Sequence, residues 1–122
     1  MDVLIVESDE NLGRLWQRHI ERQGNSVVRI GNGDAAVEYL SDHEVSVVIL
    51  DLGLADGSPL VVADFVTFRW PQTKIIVVTS TSFFSDGSVF GLSPSVCAYL
   101  PARTPPEDLT AMIEHYGRSK ND

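Results

Sequence analysis

The sequence predicts an α/β fold: a doubly wound, five-stranded parallel sheet of order 2-1-3-4-5, covered by helices on both faces to make three layers. Three observations carry that prediction. Short β-branched runs alternate along the chain with amphipathic stretches. The central run, Val45 to Leu50, is almost wholly apolar, as a strand buried on both faces must be. Capping residues stand at the heads of the intervening stretches, so strands are joined by helices, the crossover that parallel strands need.

The elements follow in order. The first strand is Val3 to Val6. Leu12, Leu15, Trp16 and Ile20 then fall at helical spacing, and Gly24 stops the helix. The second strand, Ser26 to Ile30, runs into the turn Gly31-Asn32-Gly33. Asp34 is placed to cap a short helix carrying Val37 and Leu40. After the third strand, Ser58 reads as an N-cap with Pro59 at the first helical position. That helix reaches about Phe68, and Trp70-Pro71 ends it. The fourth strand is Lys74 to Thr79. Residues 80–95 are serine-rich and weakly periodic, with Gly87, Gly91 and Pro94 limiting any helix to about 88–92. The fifth strand is Val96 to Leu100. Thr104, Pro105, Pro106 and Glu107 together read as a capping box. The last helix carries Leu109, Met112, Ile113 and Tyr116, Gly117 ends it, and residues 118–122 form a frayed polar tail.

The chain has 122 residues, which predicts a single domain, 1–122, large enough to bury a core without disulfide or metal staples. Lysine and arginine number 9 against 17 aspartates and glutamates, a net charge of −8. Such acidity argues against nucleic acid and anionic membranes as partners. The lone Cys97 excludes an internal disulfide and any multi-cysteine metal site. No apolar run approaches the ~18 residues of a membrane span, and Asp2 stands where a signal peptide wants basic residues. A cytoplasmic protein is the resulting expectation.

In a doubly wound sheet, ligands sit at the carboxyl ends of the strands, near the switch point between the first and third. The first strand ends in Glu7-Ser8-Asp9-Glu10 and the third at Asp51, so these acids are expected to converge. Gathered carboxylates suit a hard cation such as Mg²⁺. Asp9 and Glu10 have a plainer use as well, at the positive end of the first helix. Asp51 follows a buried strand, and an aspartate so placed can serve as a nucleophile that forms an aspartyl-phosphate.

Four segments give a family resemblance in their order and spacing. They are Val3-Leu4-Ile5-Val6-Glu7-Ser8-Asp9-Glu10-Asn11-Leu12, Val48-Ile49-Leu50-Asp51-Leu52-Gly53-Leu54-Ala55-Asp56-Gly57, Ile75-Ile76-Val77-Val78-Thr79-Ser80 and Tyr99-Leu100-Pro101. Over nearly its whole length the chain resembles a response regulator receiver domain, a flavodoxin-like module found alone in chemotaxis regulators and at the head of many transcriptional regulators. The resemblance implies a signalling module of a two-component phosphorelay rather than an enzyme. It makes Asp51 the acceptor of a phosphoryl group from a sensor histidine kinase or phosphotransfer protein. It places Glu7 and Asp51 on Mg²⁺ with the Gly53 carbonyl, and makes Thr79 and Tyr99 the switch residues. It implies a downstream protein partner on the fifth strand and last helix, and allows a homodimer there.

Two positions depart from the family pattern. Ser8 stands where the second acid of the pair belongs, and Ala102 where a lysine belongs, followed by Arg103 in place of proline. Slow or absent phosphorylation of Asp51 is the expectation. Asp9 is the candidate substitute ligand beside Ser8, and Arg103 the candidate substitute cation, although a guanidinium fork approaches phosphate differently from an ammonium. The peptide bond before Arg103 is expected to be trans. Phe83, Phe84 and Phe90 are candidates for partner contacts or for core. Cys97 and Trp16 read as core, and Trp70 as packing at a helix end.

Other functions on this fold need other residues. A flavin binder wants a Ser/Thr- and Gly-rich phosphate loop where Glu7-Ser8-Asp9-Glu10 stands. A haloacid-dehalogenase-type phosphatase wants an aspartate nucleophile at Glu7. A phosphorylation-independent pseudo-receiver adaptor is the nearest alternative.

Overall fold

The computed structural model describes residues 1–79 and 93–119. Its elements are β1 (Asp2–Val6), α1 (Glu10–Arg22), β2 (Ser26–Ile30), α2 (Gly33–Asp42), β3 (Val47–Asp51), α3 (Pro59–Arg69), β4 (Lys74–Thr79), β5 (Val96–Pro101) and α4 (Pro106–Ser119). The five strands form one sheet, every neighbouring pair parallel, in the order β2-β1-β3-β4-β5. The expected topology is therefore the observed one. The helix expected near 88–92, and Phe83, Phe84 and Phe90, lie outside the described residues.

Strand periodicity sorts the core into two layers. Leu4, Val6, Val48, Leu50, Ile75 and Val77 face α2 and α3, where Ala36, Leu40, Val62, Ala63 and Val66 meet them. Val3, Ile5, Val47, Ile49, Ile76 and Val78 face α1 and α4, against Trp16, Ile20, Leu109 and Ile113. β3 is buried at all five residues, which is why its sequence reads as an unbroken apolar run. Each such aliphatic side chain contributes roughly 1.5–3 kcal/mol by leaving water. Trp16 is core, as its place on the α1 stripe predicts.

The helix starts are capped by short polar side chains. Asp9 accepts the Leu12 amide at 3.1 Å, and Ser58 accepts the Val61 amide at 3.3 Å ahead of Pro59. Gly24, at φ +89°, follows the end of α1 as expected. Trp70 ends α3, its indole N–H donating to the Leu40 carbonyl at 2.6 Å and its ring lying under the Arg69 guanidinium.

Three local expectations need correction. The α2 cap is Asn32, which accepts the Ala35 amide at 2.8 Å, while Asp34 falls inside the first turn. Asparagine wins because the extended backbone is at residue 32, and Asp34 is left to favour the positive helix end. Thr104 does not cap α4. The helix begins one residue later than the capping box requires, the Pro105 carbonyl takes the Asp108 and Leu109 amides, and the Thr104 hydroxyl donates to Pro101 at 2.6 Å. Gly117 does not end α4, which continues to Ser119, past the expected start of the frayed tail. A side chain at Gly117 would run into the Met1 sulfur and Val47, so this glycine serves close packing on the sheet.

One irregularity sits in β5. Ile75 pairs with Val96 but Ile76 pairs with Ala98, so Cys97 is the extra residue of a β-bulge. The bulge resets the alternation, and Cys97, Ala98 and Leu100 all pack on the α1/α4 side while Tyr99 stands 36% exposed. The Cys97 thiol donates to the Ile75 carbonyl, and burial pushes its pKa up to about 11.

Candidate functional site

The parallel register carries the ends of β1, β3 and β4 to one edge of the sheet. Asp51 closes β3 and is only 7% exposed, and Glu7 follows β1 at 4%. The Glu7 amide donates to the Ile30 carbonyl at 3.1 Å, which fixes the exit from β1. Asp51 Oδ1 accepts the Gly53 amide at 3.0 Å, which turns the chain sharply after β3. Glu7 Oε2 accepts the Asp9 amide at 3.1 Å.

The Glu7 carboxyl lies close to that of Asp51. Burial, then the hydrogen-bonding influence of Asp51, then the nearby charges of Asp51 and Asp9 push the Glu7 pKa up to about 8, against a downward pull from the Asp9 amide. Glu7 therefore holds its proton more tightly than a free carboxyl does.

The other acids do not complete a cation site. The Asp9 carboxylate is the α1 cap, and Glu10 pairs with Arg14 on the exposed face of the same helix. Among the described residues, no three acidic, histidine or cysteine side chains group in a way that could hold a metal ion. Glu7 and Asp51 converge as expected, and Asp9 is not brought in as a third member.

Ser8 has a different task. Its hydroxyl donates to the Gly31 carbonyl at 3.1 Å and accepts the Ala55 amide at 2.9 Å. One oxygen thus joins the loop after β1 to the loops after β2 and β3.

Thr79, 5% exposed, ends β4 and pairs with Pro101 of β5. The Thr79 carbonyl accepts the Ala102 amide at 2.7 Å, so the position expected for a lysine lies beside β4 and bears only a methyl group. Arg103 is exposed, and the one ion pair among the described residues is Arg14–Glu10. No described peptide bond is cis, so the Ala102–Arg103 bond is trans as expected.

The residue that sequence reasoning missed is Arg29. Its Nη1 donates to the Glu7 carbonyl at 2.8 Å, and its aliphatic stem crosses Gly13 where a β-carbon would stand. Two signals pointed to it: a basic residue late in an apolar strand, and a glycine inside a helix, which costs about 1 kcal/mol unless something needs the space.

A family model described as response regulator receiver domain matches residues 3–114. The chain belongs to that family. Among curated proteins it is 31% identical over 111 residues to the uncharacterized transcriptional regulatory protein YkoG of Bacillus subtilis, covering 91% of this chain and 48% of that protein. It is 30% identical over 122 residues to the transcriptional regulatory protein CutR of Streptomyces coelicolor, covering 97% and 54%. The receiver thus spans about half the length of these relatives. Among solved structures, a CheY-like receiver domain protein of Methanospirillum hungatei superposes with a TM-score of 0.89 at 21% identity, covering 98% of this chain and 95% of that one. The response regulator TrrA of Thermotoga maritima, solved in complex with Mg²⁺ and BeF, gives 0.82 at 20% identity over 94% and 97%. These likenesses establish the fold. Among the described residues, no helix of the receiver is long and apolar enough to cross a membrane.

Within the family, Mg²⁺ and the receiver's acids belong together, so the fit can be tested on this receiver's own donors. They do not fit. Glu7 accepts the Asp9 amide and Asp51 the Gly53 amide, Asp9 caps α1, and the neutral Ser8 oxygen already holds two loops.

Proposed function

We propose that residues 1–122 act as one receiver module of a two-component signalling system, with Asp51 as the phosphoryl-accepting position and with phosphorylation there slow. The state of the module would pass to a downstream protein through β5 and α4, and a sensor histidine kinase or phosphotransfer protein would stand upstream. A homodimer through the same two elements is compatible with this reading. Receivers are signalling modules, and nothing in the pocket asks for turnover of a small substrate.

One observation carries the proposal: a buried aspartate closes β3 with the Gly53 amide on its carboxyl and Glu7 nearby, and the neighbouring strand end offers Ala102 instead of a cation. Phosphoryl transfer depends on positioning and on neutralising charge over three equatorial oxygens. Asp51 closes β3 at the carboxyl edge of the sheet, but its surroundings supply little neutralising charge. Removing a single preorganised donor from such a site typically costs on the order of 10²–10³ in rate. Phosphorylation-independent partner binding is the second reading, and the commitment of Ser8 to two loops favours it.

The test is labelling by a small phosphodonor with Mg²⁺, followed by intact-mass spectrometry. The wild type should gain one phosphoryl group slowly or not at all. Ala102→Lys should label faster, and adding Asp51→Asn to it should abolish the gain. Wild-type labelling as fast as that of Ala102→Lys would overturn the reading.

A further inference from the structure

We propose that the Ser8 hydroxyl ties together the three loops at the carboxyl edge of the sheet, holding the loops after β1 and β3 to each other without a divalent cation, and that the receiver's fold is consequently indifferent to Mg²⁺. The proposal rests on the receiver reading of this pocket, but not on whether Asp51 is phosphorylated.

The geometry is specific to a hydroxyl. Ser8 lies on the loop after β1, donates to Gly31 on the loop after β2 and accepts from Ala55 on the loop after β3. A hydroxyl offers one proton and two lone pairs, so it can face a carbonyl and an amide at once. An ionised aspartate cannot: it only accepts, and it would repel the Gly31 carbonyl oxygen. At this position a hydroxyl can bridge Gly31 to Ala55, and a carboxylate cannot. This receiver has the bridging residue.

Neighbouring contacts hold the bridge in place. Asn32, one residue past Gly31, caps α2, and the Gly33 amide donates to the Asp56 carbonyl at 3.0 Å, one residue past Ala55. Gly57 stands at φ +84° with its α-carbon against Gly33, so the second and third loops touch backbone to backbone. Arg29 fastens the Glu7 carbonyl at the root of the first loop. All three loops are thus joined by the protein's own hydrogen bonds and backbone contacts. Of the acids, Glu7 accepts the Asp9 amide, Asp51 accepts the Gly53 amide, and Asp9 is held as a helix cap.

Melting temperature with EDTA and with millimolar MgCl₂, together with amide hydrogen exchange read by NMR, tests the proposal on the purified chain. Wild type should melt at the same temperature in both buffers, with the Ala55 amide protected. Ser8→Ala should melt roughly 5–10 °C lower and lose protection at Ala55 by roughly tenfold or more, the loss expected for two hydrogen bonds to one oxygen. Ser8→Thr, which keeps the hydroxyl, should restore both readouts. A wild-type melting temperature that rises with Mg²⁺ would overturn the proposal. So would an unprotected Ala55 amide in the wild type, a measurement that needs no variant to fold. Rapid labelling of Asp51 would refute the slow-phosphorylation reading and leave these two readouts untouched.

Discussion

Replacing Glu7 by glutamine removes a titrating carboxyl but keeps a hydrogen-bond donor beside Asp51. The wild-type carboxyl carries a proton in the folded protein up to about pH 8, whereas in the unfolded chain it releases that proton near its ordinary value of 4.5. Below 4.5 both states are protonated and the group has no effect on stability. Between 4.5 and about 8 the folded state holds one more proton than the unfolded state, so stability falls as pH rises. The slope is about 1.4 kcal/mol per pH unit. Across that interval the loss comes to roughly 5 kcal/mol, large against a typical folding stability of about 5–15 kcal/mol. Glu7→Gln lacks the titration, so its stability relative to wild type should grow from pH 5 to pH 9. In metal-free urea titrations, with slopes of about 1–3 kcal/mol/M, the midpoint difference should widen by roughly 2–4 M. A difference that stays constant from pH 5 to pH 9 would show that Glu7 is ionised throughout and that burial does not raise its pKa.

Two further predictions follow from burial and backbone geometry. Cys97, with its pKa raised from 9.0 to about 11, should hold about a hundredfold less thiolate at pH 8 in the folded chain than in urea. Its alkylation by iodoacetamide should slow accordingly on folding, and equal rates in the two states would refute the burial argument. Gly57→Ala should cost about 2–4 kcal/mol, because the residue sits at φ +84° and its new methyl would lie 2.8 Å from Gly33. Gly24→Ala, at φ +89° with nothing within 4 Å, should cost only about 1–2 kcal/mol. Equal costs in chemical denaturation would mean that the loops after β2 and β3 are not locked backbone to backbone.

Period and punctuation made the fold legible. The apolar run at β3, the alternation of strand with helix, and the cap at Ser58 all pointed to one topology, and the register bears it out. What was not legible depended on tertiary contact. Gly117 reads as a helix stop until Met1 and Val47 are seen against it. The bulge at Cys97 leaves no mark in composition, because its flanking residues, Val96 and Ala98, are apolar as strand residues usually are. Asn32 and Asp34 are equally good caps on paper, and only the extended backbone at residue 32 decides between them.

The site divides along the same line. Chain order alone placed Glu7 and Asp51 at one edge of the sheet, because parallel strands carry their carboxyl ends to the same side. Side-chain direction was beyond it. Asp9, with the same charge and only two residues past Glu7, turns to the Leu12 amide instead of the pocket. Ser8 reads in sequence as a loss, an acid replaced by a weaker ligand. In the structure the substitution is a gain of a proton donor, and that proton is what reaches Gly31 while the same oxygen holds Ala55. The net charge of −8 thus does not call for a cation in this pocket. A proton held on Glu7 lowers the local charge by one, and around it the Ser8 bridge, the Asp9 cap and the Arg29 clamp hold the loops by neutral or locally compensated contacts. A pocket organised that way keeps its loops in place by the chain's own contacts, which is why its residues read differently in the structure than in the sequence.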